Sequence, residues 1–380
     1  MLKIAFLKLD GLRGGSLVSI ASGVFSLAIV AAIRFGLGED EANLYIFLSA
    51  LTTLVGAVAA FGIPEYGQVL HSRKRSGGLV VPIGFKLIVV VCLVLFFLPE
   101  SHSGVNKMWQ VTILVLMQVC IATMLTVSEL RFRCALLSSN HISNYVYQNT
   151  IQHLSIIAVF LFFSSYTWGP VLGMCVAAGI VTSLWPTISS FPLKFKFTLF
   201  LFTKEQSSFY LQRLALVFID TVLLLNAHNS IHPTQYFAMG VINRITSPVF
   251  IVLNIFLGRR QANILSGSLS AEAGRLPLLV VSFGVGIALI ICILVGIESL
   301  LSACLSIVFI RLWVILLSYE FQRWLPASPL VLVVGSAIVW GVAAWLIVLQ
   351  AASLIVITSV AIWLNSGVIV ALTQFRGKHG

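Results

Sequence analysis

Predominantly apolar runs of about 20 residues recur from one end of this chain to the other, LLVVSFGVGIALIICILVGI among them, and shorter stretches such as VVVCLVLFFL hold no polar residue at all. In lipid no water reaches the backbone, so a crossing segment has to satisfy its own N–H and C=O groups, either as a helix or in a closed barrel. Barrel strands alternate polar and apolar residues over about ten positions, and these runs are apolar on every side. The predicted class is therefore an all-α polytopic membrane protein. With 59% hydrophobic and 9% charged residues and a mean hydropathy of +1.04, no polar stretch is left to build a separate soluble domain.

Apolar windows and their polar breaks place spans at Gly15–Ile33, Asn43–Ile63, Gly78–Leu98, Trp109–Ser128, Tyr145–Phe163 and Gly169–Pro186. A second set follows at Ser208–Asn226, Thr234–Leu257, Leu276–Ile297, Leu300–Ser318, Leu330–Gln350 and Leu354–Leu372. The total is about twelve helices, in an N-terminal part over 1–190 and a C-terminal part over 207–380, joined by a basic linker over 191–206 (FPLKFKFTLFLFTKEQ). The apolar run behind Lys3, Lys8 and Arg13 is too long for a signal peptide and has no good cleavage site, so it is read as the first span.

Loop charge tests this count independently. One set of segments carries Lys3, Lys8 and Arg13, then Arg73, Lys74 and Arg75, Arg131 and Arg133, Lys194, Lys196 and Lys204, Arg259, Arg260 and Arg275, Arg323, and Arg376 with Lys378. The alternate set has only Arg34 and Lys107, beside Glu39, Asp40, Glu41, Glu100 and Glu298. Cytoplasmic loops are the ones enriched in Lys and Arg, so both termini are expected in the cytoplasm. The net charge of +11 is then a matter of topology, with anionic membrane lipids as its ordinary partner and no nucleic-acid-binding pattern.

Chemistry is harder to find. The 6 cysteines and 7 histidines are scattered, with no metal-ligand spacing. No serine or carboxylate sits in a nucleophile motif, and no metal or other cofactor is implied. The outward loops are short, which argues against a membrane-embedded glycan polymerase or ligase. That leaves transport rather than catalysis.

Polar residues inside the spans carry the functional reading. Gln206, Tyr210, Arg213 and Asp220 share one helix face, and Tyr236, Met239, Asn243 and Ser247 form a stripe on the next helix with Arg244 beside it. Arg311 lies within another span and Arg34 at the outer end of the first. A charge at the bilayer centre costs roughly 2.5 to 3.5 kcal/mol, so these groups face either protein or a watered cavity. Both readings stand at this level: a basic substrate cavity, or ion pairs that glue helices together. Helix geometry puts Asp220 and Arg244 at similar depths, so a pair between them is expected in at least one state of a transport cycle, with Arg213 as the next candidate partner. Asn144, Gln148 and Gln152 recur every fourth residue and line either a cavity or a helix contact. Pro248, inside a span, is a hinge candidate or a static kink.

The chain also resembles a known family. Its opening, GLRGGSLVSIASGVFSLAIVAAIRFGLGEDEANLYIFLSALTTLVGAVAAFGIPEYGQVL, with Arg34, Tyr45 and Gly62, is similar to the first two helices of the O-antigen type polysaccharide flippases. These belong to the multidrug, oligosaccharidyl-lipid and polysaccharide exporter superfamily. FIDTVLLL with Asp220, QYFAMGVINRI with Tyr236, and SELRFRCALLSSNHISNYVYQ continue the likeness. The resemblance implies two six-helix lobes around a central cavity in a bacterial inner membrane. It also implies a polyprenyl diphosphate-linked oligosaccharide as substrate, with glycan polymerase and chain-length machinery as partners. Buried arginines suit a diphosphate. The rival within the same fold is an ion-coupled drug or metabolite exporter.

Overall fold

The computed structural model describes residues 12–72, 78–97, 194–199, 203–228, 230–265, 284, 299–323 and 330–377. The spans expected at 109–128, 145–163 and 169–186, almost all of that at 276–297, and the polar positions Asn144, Gln148 and Gln152 lie outside the described residues. The helices are α1 (Leu12–Leu37), α2 (Glu39–Ala60), α3 (Ile63–Ser72), α4 (Ile83–Phe97), α5 (Lys204–Ala227), α6 (Pro233–Leu265), α7 (Ser299–Arg323), α8 (Leu330–Val348) and α9 (Leu354–Gly377). Two strands, β1 (Gly78–Pro82) and β2 (Lys194–Thr198), complete the set. Within it, Gln206–Ala227, Leu300–Phe321, Leu330–Val348 and Leu354–Leu372 are long and apolar enough to cross a membrane. The chain is a helical, multi-pass membrane protein.

Local chemistry ends the helices where the sequence breaks. Gly38, at φ 108, turns the chain between α1 and α2, a backbone region that suits glycine. Arg34 closes α1 and Glu39, Asp40 and Glu41 open α2, so each helix end meets the charge that its dipole favours. Thr203 caps α5 by accepting from the Gln206 N–H at 3.2 Å, and α6 begins on Pro233, whose missing N–H costs nothing there. Between α8 and α9, Gln350 is left-handed at φ 51, and the N–H groups of Gln350 and Ala351 return to the carbonyls of Ile347 and Leu346. That is a Schellman ending with glutamine where glycine is usual. At the α5 end His228 stacks on Phe47 with ring centroids 4.7 Å apart and meets Tyr236 edge-on at 4.9 Å. Burial there pushes the imidazole below its ordinary pKa.

Helices from the two parts of the chain pack directly against each other. α6 lies on α1 and α7, and α5 lies on α2 and α8. In α8 the residues Leu332, Val333, Ser336, Trp340, Ala343 and Ile347 are buried, while Val331, Val334, Ile338, Val342 and Trp345 stay exposed. An apolar face left open at helical spacing is a lipid-facing face in a chain of this composition. On the inner side Trp313 Nε1 donates to Asn365 Oδ1 at 2.9 Å, and Asn365 Nδ2 donates to Ser336 Oγ at 2.8 Å. These two bonds tie α7, α9 and α8 without a charge.

The structure departs from the all-α expectation at the linker. β1 and β2 pair in parallel, with Gly78 opposite Lys194 and Pro82 opposite Thr198. Alternation in KFKFT and β-branched residues in GLVVP suit a strand. The 191–206 linker thus contributes β2 and the first residues of α5. The second apolar run is also broken, by left-handed Phe61 (φ 48) and Gly62 (φ 65), after which α3 redirects the chain.

Candidate functional site

Four intramembrane arginines are held in four different ways. Arg213 on α5 donates from Nη1 to Glu65 Oε1 on α3 at 2.8 Å, with both side chains largely buried. Arg34 donates from Nη2 to Glu39 Oε2 at 3.1 Å across the α1–α2 turn, and its guanidinium lies 4.0 Å from the centroid of Phe237. Arg311 on α7 makes an ion pair through Nε with Asp220 Oδ1 at 3.5 Å. From Nη1 it also donates to Ser247 Oγ at 2.9 Å, and it lies 5.2 Å from the ring centroid of Phe250.

Arg244 differs. It sits midway along α6 and donates from Nη1 to Ser26 Oγ on α1 and from Nη2 to Ser49 Oγ on α2, the latter at 3.2 Å. The face of Tyr45 lies 5.0 Å away. Among the described residues no carboxylate stands within ion-pair distance of it, whereas Arg34, Arg213 and Arg311 each have one. Neutral hydroxyls orient this guanidinium and leave its charge uncompensated. Asp220 and Arg311 offset each other, so among the residues described around Arg244 its charge is the one without a carboxylate beside it.

The pairing expected between Asp220 and Arg244 is absent from this structure, and Arg311 is the partner of Asp220 instead. Equal depth on two helices does not say which helix faces which. α7 packs against both α5 and α6 and brings Arg311 between them. Arg244 points the other way, toward α1 and α2.

Pro248 lies in an unbroken helix. In the turn before it the hydroxyls of Thr246 and Ser247 return to the carbonyls of Ile242 and Asn243 at 2.8 and 2.7 Å. Proline removes a ladder bond, and such back-bonding bends helices, so this turn is the weak point of α6. Arg311 fastens to it from α7, and Arg244, one turn earlier, fastens to the first part of the chain. Asn243 is half-buried beside Arg244. Tyr236 is fully buried, and its hydroxyl has no hydrogen-bond partner among the described residues.

Sequence reasoning missed Glu65, the serines that hold Arg244, and the part played by Gln206. Glu65 was legible as a lone acid just past the Gly62 break, although the run had been ended at Ile63. Ser26 and Ser49 carried no signal, since serine is ordinary in membrane helices. Gln206 shares a face with Arg213, and its amide turns out to be fully buried against the strands.

No protein-family model matches the chain, and no curated protein matches its sequence. Among solved structures it is similar to the eukaryotic MATE transporter AtDTX14, with a TM-score of 0.52 at 13% identity over 98% of this chain and 95% of that one. An outward-facing multidrug resistance MATE family transporter of the MOP superfamily gives a TM-score of 0.46 at 12% identity over 99% of this chain and 97% of that one. At these identities the first likeness describes the fold: the chain has a MATE-like helical architecture along nearly its whole length.

Proposed function

We propose that the protein is a membrane transporter that works by alternating access and carries a polyprenyl diphosphate-linked oligosaccharide across the membrane. The observation that carries this reading is Arg244, an intramembrane guanidinium held, among the described residues, by Ser26, Ser49 and the Tyr45 face. A cation left without a carboxylate at that depth is costly, and a diphosphate is the ligand that would repay the cost through charge-assisted bonds. The Tyr236 hydroxyl, unpartnered among the described residues, and half-buried Asn243 supply neutral donors of the kind that sugar hydroxyls need. The inside-negative membrane potential favours outward movement of such a headgroup by about 2.3 kcal/mol per charge per 100 mV. Arg34, Arg213 and Arg311, already paired, act as helix clasps in this state rather than as first contacts.

An exporter of cationic compounds is the second reading, and Asp220 supports it, since its side chain keeps 29% exposure beside Arg311. The two readings separate in proteoliposomes. Purified protein is supplied with a short-chain polyprenyl diphosphate oligosaccharide, and the sugar that crosses the bilayer is read by an entrapped glycosidase. Arg244→Ala should lower the initial rate by about ten- to a hundred-fold, the size of one lost charge-assisted contact, with unfolding temperature unchanged. Arg244→Lys should retain part of the rate, because charge survives while the two-pronged geometry is lost. A wild-type rate in Arg244→Ala would sink the assignment. Efflux of a cationic dye that is lost in Asp220→Asn would favour the exporter.

A further inference from the structure

The contacts around Gln206 join the two parts of the chain at one end of the bundle, and they form a single cooperative unit. Gln206 is fully buried. Its Nε2 donates to Val80 O at 2.8 Å and to Phe61 O at 3.0 Å, and its Oε1 accepts from the Val80 N–H at 3.3 Å. The side-chain amide thus occupies the edge of β1 opposite β2, as a one-residue strand would. On the other edge the β1–β2 ladder runs from Gly78–Lys194 to Pro82–Thr198, and the Phe85 N–H continues it to Leu199 O at 3.3 Å.

Two further contacts fasten the same end. Gly62 lets the backbone of α5 come so close that an added Cβ would lie 2.6 Å from Tyr210 N and 2.7 Å from Gln206 O. Two turns along α5, on the same face as Gln206, Arg213 pairs with Glu65. Every donor and acceptor from the first part lies in residues 61–85, and every one from the second in residues 194–213. A five-residue parallel pair is marginal alone, so the ladder, the amide clasp and the ion pair form or break together.

We propose that this unit is a latch that holds the basic end of the bundle shut and must open for access from that side. The proposal rests on the alternating-access reading but not on the identity of the substrate. In sequence the unit directly adjoins the basic stretch Arg73–Arg75 and includes Lys194, Lys196 and Lys204, segments that the loop charges assign to the cytoplasm. Opening would expose Val80, Phe61 and the Gln206 amide to water, which satisfies them in place of each other, so the exchange costs little in hydrogen bonds. What is lost is mainly the buried packing and the Arg213–Glu65 pair, and that fits a reversible closure.

The test locks the ladder and reads access without any transport assay. In a background with the native cysteines replaced, Val80→Cys and Lys196→Cys, which face each other in the register, are joined with a short bifunctional thiol reagent. The reagent is then removed, and Asn243→Phe(4-azido) by amber suppression supplies a central reporter that a membrane-impermeant alkyne can reach. Vesicles of known sidedness are labelled from each face. With the link in place, labelling from the basic face should fall at least ten-fold while labelling from the opposite face persists, and cleavage of the linker should restore it. Gln206→Leu, without any link, should raise labelling from the basic face. Unchanged labelling from that face in linked protein would overturn the latch, as would failure of the two cysteines to link in protein that is folded by its melting curve. If access is gated as expected while no lipid-linked sugar crosses, the latch stands and the substrate assignment falls.

Discussion

Asp220 pairs with Arg311 rather than with Arg244, the partner expected from the sequence, and the distance explains why this pair is adjustable. At 3.5 Å, with side chains 29% and 12% exposed, it is looser than the 2.8 Å pair of Arg213 and Glu65. Arg311 has a second attachment in the Ser247 hydroxyl, so it can slacken one contact and keep the other. Removing one member of a pair at this depth leaves the other charge unpaired, which costs more than removing both. A double-mutant cycle with Asp220→Asn and Arg311→Gln, read as unfolding stability in detergent micelles, should therefore give a coupling of about 0.5 to 3 kcal/mol. The same cycle with Asp220→Asn and Arg244→Gln should be additive, and coupling there in place of the first would reverse the assignment.

Among the elements, the break between α2 and α3 shows what sequence can and cannot convey. In the sequence Gly62 is marked only by the family resemblance, in which a glycine closes the second helix. Its two reasons, φ 65 and the backbone of α5 at van der Waals contact, became visible only with a partner from the second part of the chain. Gly62→Ala should cost more than about 1 kcal/mol, because the left-handed backbone and the close approach both oppose a Cβ. Thermal unfolding of the variant at wild-type stability would refute that. Apolar length revealed the spans, and the described helices α5, α7, α8 and α9 fall where the runs predicted. Polar residues inside those runs marked the charged centre. Their partners were not legible, since periodicity assigns a residue to a face of its own helix and leaves open which neighbour that face meets. The strands were hidden for a related reason: five residues of KFKFT have no visible mate until residues 78–82 are brought beside them.

At the scale of the whole molecule, the order of synthesis sets a condition on assembly. Val80 and the glutamine that completes its edge are 126 residues apart in the chain, so β1 emerges from the ribosome long before either of its partners exists. Parallel pairing across so long a crossover is slow to form, and until it does β1 presents two open edges, a state prone to proteolysis and wrong association. The N-terminal fragment 1–190 expressed alone should accordingly turn over faster than the same fragment made together with 191–380, as pulse-chase half-lives would register. Equal half-lives would mean that the early edge is protected by something other than the late strand. For the intact chain the implication is one of quality control: a protein that stalls before residue 206 carries an unfinished sheet as its mark of incompleteness, and only a full second part can erase it.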